Sequence, residues 1–179
     1  MSYDLEQFTA ECRAILSHDP GPGGREQVRQ RLERLLHNQE FVRRSCIDAP
    51  KGLHLLYEDG ELGFQVLAHL NEKPRAGAPH DHGQSWAIYG QASEHTDMTE
   101  YDRVDDGSDA THGQLKIARK YRLSPGEAGV FQDGKIHSID YPAKSCFVRV
   151  TGTNLDRIAR IMFDPKSGKI TRMTPQQAT

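Results

Sequence analysis

Apolar residues in the first forty-five positions recur at helical spacing. Leu5, Phe8, Cys12, Ile15 and Leu16 fall on one helical face, and Val28, Leu32, Leu35, Leu36 and Val42 repeat the pattern. Between them, His18-Asp19-Pro20-Gly21-Pro22-Gly23-Gly24 breaks the chain. Proline lacks the backbone donor a helix needs, and glycine is too free to hold one. The pattern predicts a helical pair within residues 1–45, its apolar faces packed on the rest of the chain and its charged faces in water. From Gly52 the period shortens. β-rich runs cover 53–57, 64–70, 85–89, 98–104, 115–123, 129–132, 146–151 and 158–163. Turn signals separate them, among them Asp59-Gly60, Asp106-Gly107, Asp133-Gly134 and Lys166-Ser167-Gly168. Many short strands without intervening helices predict an all-β barrel or sandwich over residues 52–173, of the double-stranded β-helix or jelly-roll kind. The mouth of such a barrel is a natural small-molecule pocket. The tail after Met173 reads as frayed.

Composition narrows the function. A length of 179 residues fits a single domain, 1–179, with a closed core. A net charge of −2 leaves no electrostatic footprint for nucleic acid or an anionic membrane. Basic runs such as Arg29-Gln30-Arg31 and Arg43-Arg44 alternate with acids and read as solvated helix faces. No apolar run approaches the roughly 20 residues of a membrane span, and the acidic start Met1-Ser2-Tyr3-Asp4-Leu5-Glu6 lacks the order of a signal peptide. Three widely spaced cysteines, Cys12, Cys46 and Cys146, form no disulfide framework or thiolate zinc site. The expected setting is cytoplasmic, as a monomer or homodimer.

The chemistry concentrates in Pro79-His80-Asp81-His82-Gly83. Histidines at i and i+2 of a strand share a face, because strand side chains alternate. A third histidine, His137, lies in the turn-rich stretch Pro125 to His137. Together the three predict a metal site that leaves coordination positions open, and imidazole suits iron, zinc, nickel and copper. Asp81 points away from its neighbours on a regular strand and is expected to accept hydrogen bonds outside the site. His69 is a further candidate for the cavity. His18, His37, His95 and His112 sit at helix ends or in polar loops.

These segments resemble the cupin superfamily. His80-Asp81-His82-Gly83 with Trp86 and Tyr89-Gly90 looks like the first cupin motif, and Pro125-Gly126-Glu127 through His137 like the second. Cupins commonly place an acidic ligand four or five residues past the second histidine, where this chain has Trp86 and Ala87. A missing carboxylate, the Asp between the histidines and the Gly-x-x-Trp after them resemble the thiol dioxygenases, the cysteine dioxygenase group with its mercapto-acid relatives. The likeness runs from about Leu53 to Phe163, and an N-terminal helical pair is typical of that group. It implies a cupin barrel holding Fe(II) on His80, His82 and His137, with Zn or Ni also compatible, and the transfer of both atoms of O2 to the sulfur of a small anionic thiol.

Two elements depart from that family. Its Ser-x-His-x-Tyr strand aligns with Phe147-Val148-Arg149-Val150-Thr151, which places Phe147, Arg149 and Thr151 at the relay positions. Its early carboxylate-binding Arg falls on or near His54, and the cysteine of the animal thioether crosslink is Ala87. Residues 147, 149 and 151 share one strand face, which in this fold looks into the barrel. An arginine there needs an anionic partner, so Arg149 is expected to bind the substrate anion in place of the relay, with Trp86 and His54 as further substrate contacts. The alternatives are an Arg149 that faces outward on the sandwich exterior or pairs with a structural acid such as Asp140 or Asp164, and, for the whole chain, another metal-dependent cupin enzyme (a carbon–carbon-cleaving dioxygenase, isomerase or hydrolase) or a cupin that binds a small molecule without catalysis.

Overall fold

The computed structural model describes residues 3–175; the far end of the tail lies outside them. Two helices open the chain, α1 (Leu5–His18) and α2 (Pro22–Leu36), where the apolar spacing places them. Asp4 caps α1 in a reciprocal box with Gln7, so two amides at the helix start are satisfied. Pro22 opens α2, where its missing donor costs nothing. A short helix α3 (Gln39–Val42) and a π-turn at Arg43–Ile47 follow. The sequence reading had merged both into the second helix.

Eleven strands come next among the described residues: β1 (Gly52–Glu58), β2 (Gln65–Leu70), β3 (Arg75–Ala76), β4 (Ala87–Ser93), β5 (Thr96–Arg103), β6 (Leu115–Leu123), β7 (Ala128–Phe131), β8 (Ile136–Tyr141), β9 (Cys146–Thr151), β10 (Arg160–Phe163) and β11 (Ile170–Met173). One sheet runs β1-β2-β9-β4-β7, a second β3-β8-β5-β6, and β10 and β11 form a hairpin. Every strand pair among the described residues is antiparallel. The fold is the all-β jelly roll of double-stranded β-helix type that the strand spacing predicts.

Alternation sorts the five-stranded sheet into two faces. Val148 and Val150 of β9, Val66 and Ala68 of β2 and Ile88 of β4 turn outward, into one buried cluster with Phe8, Cys12, Val28, Leu32 and Leu35 of the helices. Phe147 of the same β9 turns inward, where it packs with Tyr89, Phe131, Met98 and Ile139 between the sheets. The contact between α2 and β4 is close. A Cβ on Gly90 would stand 2.7 Å from both Leu32 Cδ2 and Leu36 Cδ1. Buried Asp59 ties α1 to the β1–β2 turn, accepting from Arg13 Nε at 2.8 Å, the Tyr57 hydroxyl at 3.0 Å and the amides of Glu61 and Leu62.

Strand β8 was not expected, because the residues before His137 read as turns. Its inward positions are His137, Ile139 and Tyr141. A polar histidine at an inward position interrupts the apolar alternation by which a strand is recognised.

Candidate metal centre

His80, His82 and His137 come together at one end of the interior, each with a ring nitrogen within 4.8 Å of the other two. His80 sits in an isolated bridge rather than inside a longer strand. Its amide donates to the His137 carbonyl at 2.9 Å, and the His137 amide returns the bond at 2.9 Å. The reciprocal pair fixes the two residues opposite one another, with rings 4.7 Å apart. His80 also bridges Met162 of β10. The segment therefore joins the hairpin to β8.

The chain then turns sharply to present His82. Asp81 accepts from the amides of Ile161 at 2.8 Å and Gly83 at 3.2 Å, the outward acceptor role expected of it. Gly83 holds a φ of +59°, and a Cβ there would stand 2.2 Å from the Ala159 carbonyl oxygen. Glycine is required at that position both for conformation and for space.

Burial among aromatic rings disfavours the charged form of all three imidazoles. Burial first, then the neighbouring His80, Arg149 and Arg160, hold His82 well below its ordinary pKa. Burial and the other two histidines, with Arg149, do the same to His137. Burial also lowers His80, against an opposing hydrogen bond to the Ala78 carbonyl. That bond, 2.9 Å from His80 Nδ1, makes Nδ1 the donor and leaves Nε2 free with its lone pair. Both nitrogens of His137 and Nδ1 of His82 are buried without a hydrogen-bond partner. Buried polar atoms are normally satisfied, and a divalent ion would take one nitrogen from each ring. The donor set fits iron, zinc or nickel, and no carboxylate joins it.

A cavity of about 190 Å³ opens beside His80, walled by Tyr89, Phe147, Met162, Arg149 and Arg160. Tyr89 Oη lies 3.1 Å from His82 Nε2. Among the described residues, no acidic side chain lines this cavity. Arg149 reaches it from β9 with Nε buried and unpartnered, so the structural acid weighed as its alternative partner is absent among the described residues. His69 lines it too, stacked on Phe147 with centroids 4.5 Å apart and Nε2 unpartnered.

Two expected substrate contacts stand elsewhere. Trp86 precedes β4 on the outward side, packed in the helix-side core with the Arg25 guanidinium 5.8 Å from its ring. The inward position is Tyr89, three residues on. His54 lies between Leu53 and Leu55 on β1 and faces away from the cavity, its Nε2 2.7 Å from the Pro50 carbonyl. Both corrections follow from alternation counted in the true strand register. Arg75, Arg160 and Met162 line the cavity without having been candidates in the sequence, and Tyr89 does so from a motif position. Tyr89 was legible as an inward position of its strand. Arg160 carried no local signal.

No protein-family model matches this chain, and no curated protein is similar to it. Similar solved structures include the Schizosaccharomyces pombe Cnp3 cupin domain, 10% identical over 62% of this chain and 68% of that one, with a TM-score of 0.46. KdgF from Halomonas sp. is 17% identical over 58% of this chain and 82% of its own, at 0.40. A cupin superfamily protein from Desulfitobacterium hafniense is 14% identical over 60% and 84%, at 0.42. The assignment of the fold rests on this chain's own strand order and antiparallel pairing.

Proposed function

We propose that this chain is a mononuclear three-histidine metalloenzyme, an iron dioxygenase of thiol-dioxygenase-like type that oxidises a small anionic thiol with O2. The observation that carries the reading is the convergence of three neutral imidazoles, with unpartnered nitrogens, beside a cavity whose charged side chains are arginines. Ferrous iron on three neutral ligands keeps its full charge and open positions, and supplies a site for thiolate and O2.

The chain's own residues do the rest. Arg149 offers a planar fork that suits a carboxylate, and with Arg160 it favours an anion over a neutral molecule. The Tyr89 hydroxyl, on the cavity wall and within hydrogen-bond distance of His82, is placed to hold a proton near the triad. It stands on β4 directly opposite Arg149 of β9. A tyrosine hydroxyl is thus supplied from the neighbouring strand, while the relay positions of the thiol dioxygenases hold Phe147 and Thr151. Phe147 and Met162 supply apolar wall, beside His69, Arg75 and Tyr141.

Anaerobic metal analysis followed by O2-uptake assays with cysteine and small mercapto acids tests this. One iron per chain, lost in His80→Ala, together with thiol-dependent O2 uptake is the expected result. Metal binding with no O2 uptake on any thiol acid would turn the reading to a non-oxidative metalloenzyme, and failure to bind any divalent metal would remove it.

A further inference from the structure

We infer that the substrate carries an apolar tail, received by a groove between β1 and the turn at 152–157. The inference rests on the anion-binding reading above and deepens it. A second cavity, about 400 Å³, adjoins the first and shares His69, Arg149 and Arg160 with it. The three shared side chains form a neck between an inner chamber beside His80 and an outer groove. Leucines form one wall of that groove, Leu53 and Leu55 of β1, Leu67 of β2 and Leu155 of the turn, while Gln65, Asn154 and Asp156 complete its lining.

Leu53 and Leu55 are each 54% exposed. A single exposed leucine says little. Here two stand at i and i+2 of one strand, face the same groove, and continue an apolar wall whose other members, Leu67 and Leu155, are buried. The charged residues of its lining are Arg149 and Arg160 at the neck and Asp156 of the turn. Arg149 has an unpartnered buried Nε, and Arg160 is held loosely by Asp156 at 3.6 Å. An anionic group seated at the neck has the triad on one side and leucines on the other. The inner chamber has room for about six water molecules at roughly 30 Å³ each. The adjoining groove offers the space for any part of a substrate that this chamber does not hold. The class indicated is an acid with its reactive group near the anion and an alkyl or similarly apolar chain beyond it.

The test is calorimetric titration of metal-free and zinc-loaded protein with butyrate and octanoate, since zinc is redox-inert. Octanoate is expected to bind tenfold or more tightly than butyrate, each buried methylene contributing up to about fourfold. Leu53→Asn with Leu55→Asn should abolish that advantage and leave butyrate affinity, zinc content and melting temperature unchanged. Equal affinities in the wild type, or an advantage that survives the double variant, overturn the tail groove while leaving the anion site intact. Zinc uptake with no binding of either acid overturns the anionic-substrate reading and the groove with it. Sedimentation of both proteins completes the test: a dimer that becomes monomeric in the double variant shows that a second copy covers these leucines, which also overturns the inference.

Discussion

Replacing Arg149 by Met should make the metal-free protein more stable and worse at binding anions. Most substitutions at inward positions destabilise, so a gain is a discriminating outcome. Among the described residues, the guanidinium Nε is buried without a partner and no acid lines the chamber it enters. A fully buried, unpaired charge costs several kcal/mol. Arg149 is only half-buried and reaches the outer groove, where water screens it. The cost relieved should therefore be about 1–2 kcal/mol. For a chain of this length that corresponds to a rise in Tm of about 2–8 °C. Met keeps the length of the aliphatic stem and packs flexibly. Loss of the charge-assisted fork should cost butyrate about 2–3 kcal/mol, roughly a 30- to 150-fold weaker Kd. Thermal melts of the metal-free protein and calorimetric titrations of the zinc-loaded one give the two numbers. A lower Tm with unchanged butyrate affinity would refute the argument, because it would show the guanidinium doing structural work.

Further outcomes are expected elsewhere. His80→Ala should release the metal while far-UV circular dichroism stays unchanged, since the pairing with His137 runs through the backbone. Zinc added to wild type at about a hundredfold over its Kd should raise stability by about 2.7 kcal/mol, seen as a higher Tm that His80→Ala does not show. Gly90→Ala should destabilise by about 1–3 kcal/mol through overpacking against Leu32 and Leu36, with metal content preserved in the folded fraction. Burial works to raise the Asp59 pKa, but the amides of Leu62 and Glu61, the Tyr57 hydroxyl and Arg13 outweigh it and hold the carboxyl below the usual range. A depressed folded pKa means stability that is present above the unfolded value of about 4 and lost as pH falls through the folded one. Urea titrations should show that acid loss in wild type and a smaller one in Asp59→Asn.

Local spacing alone determined a good deal of this protein. The helical recurrence from Leu5 to Val42 located the helices. Apolar alternation located most strands, and the strand period put Phe147, Arg149 and Thr151 on one face. The i, i+2 histidines identified a metal-type donor set, although a sharp turn rather than the expected regular strand presents His82 beside His80. These are short-range properties, readable within a few residues because backbone geometry repeats with a fixed period.

Other features depended on pairing between distant segments. His80 meets His137 through a bridge that no local pattern encodes. Strand β8 was hidden because its inward histidine breaks the alternation that would reveal it. His54 and Trp86 were assigned to the cavity by position along the chain, and the register turned both away from it. Arg160 joins Arg149 at the neck because the β10–β11 hairpin continues past His80, while His69 and Phe147 stack because β2 pairs with β9 in one register. A one-residue slip in either pairing would carry every side chain to the opposite face. The period of each strand is written locally, but which faces meet is decided by long-range hydrogen-bonded register, and the neck of the cavity exists only at that level.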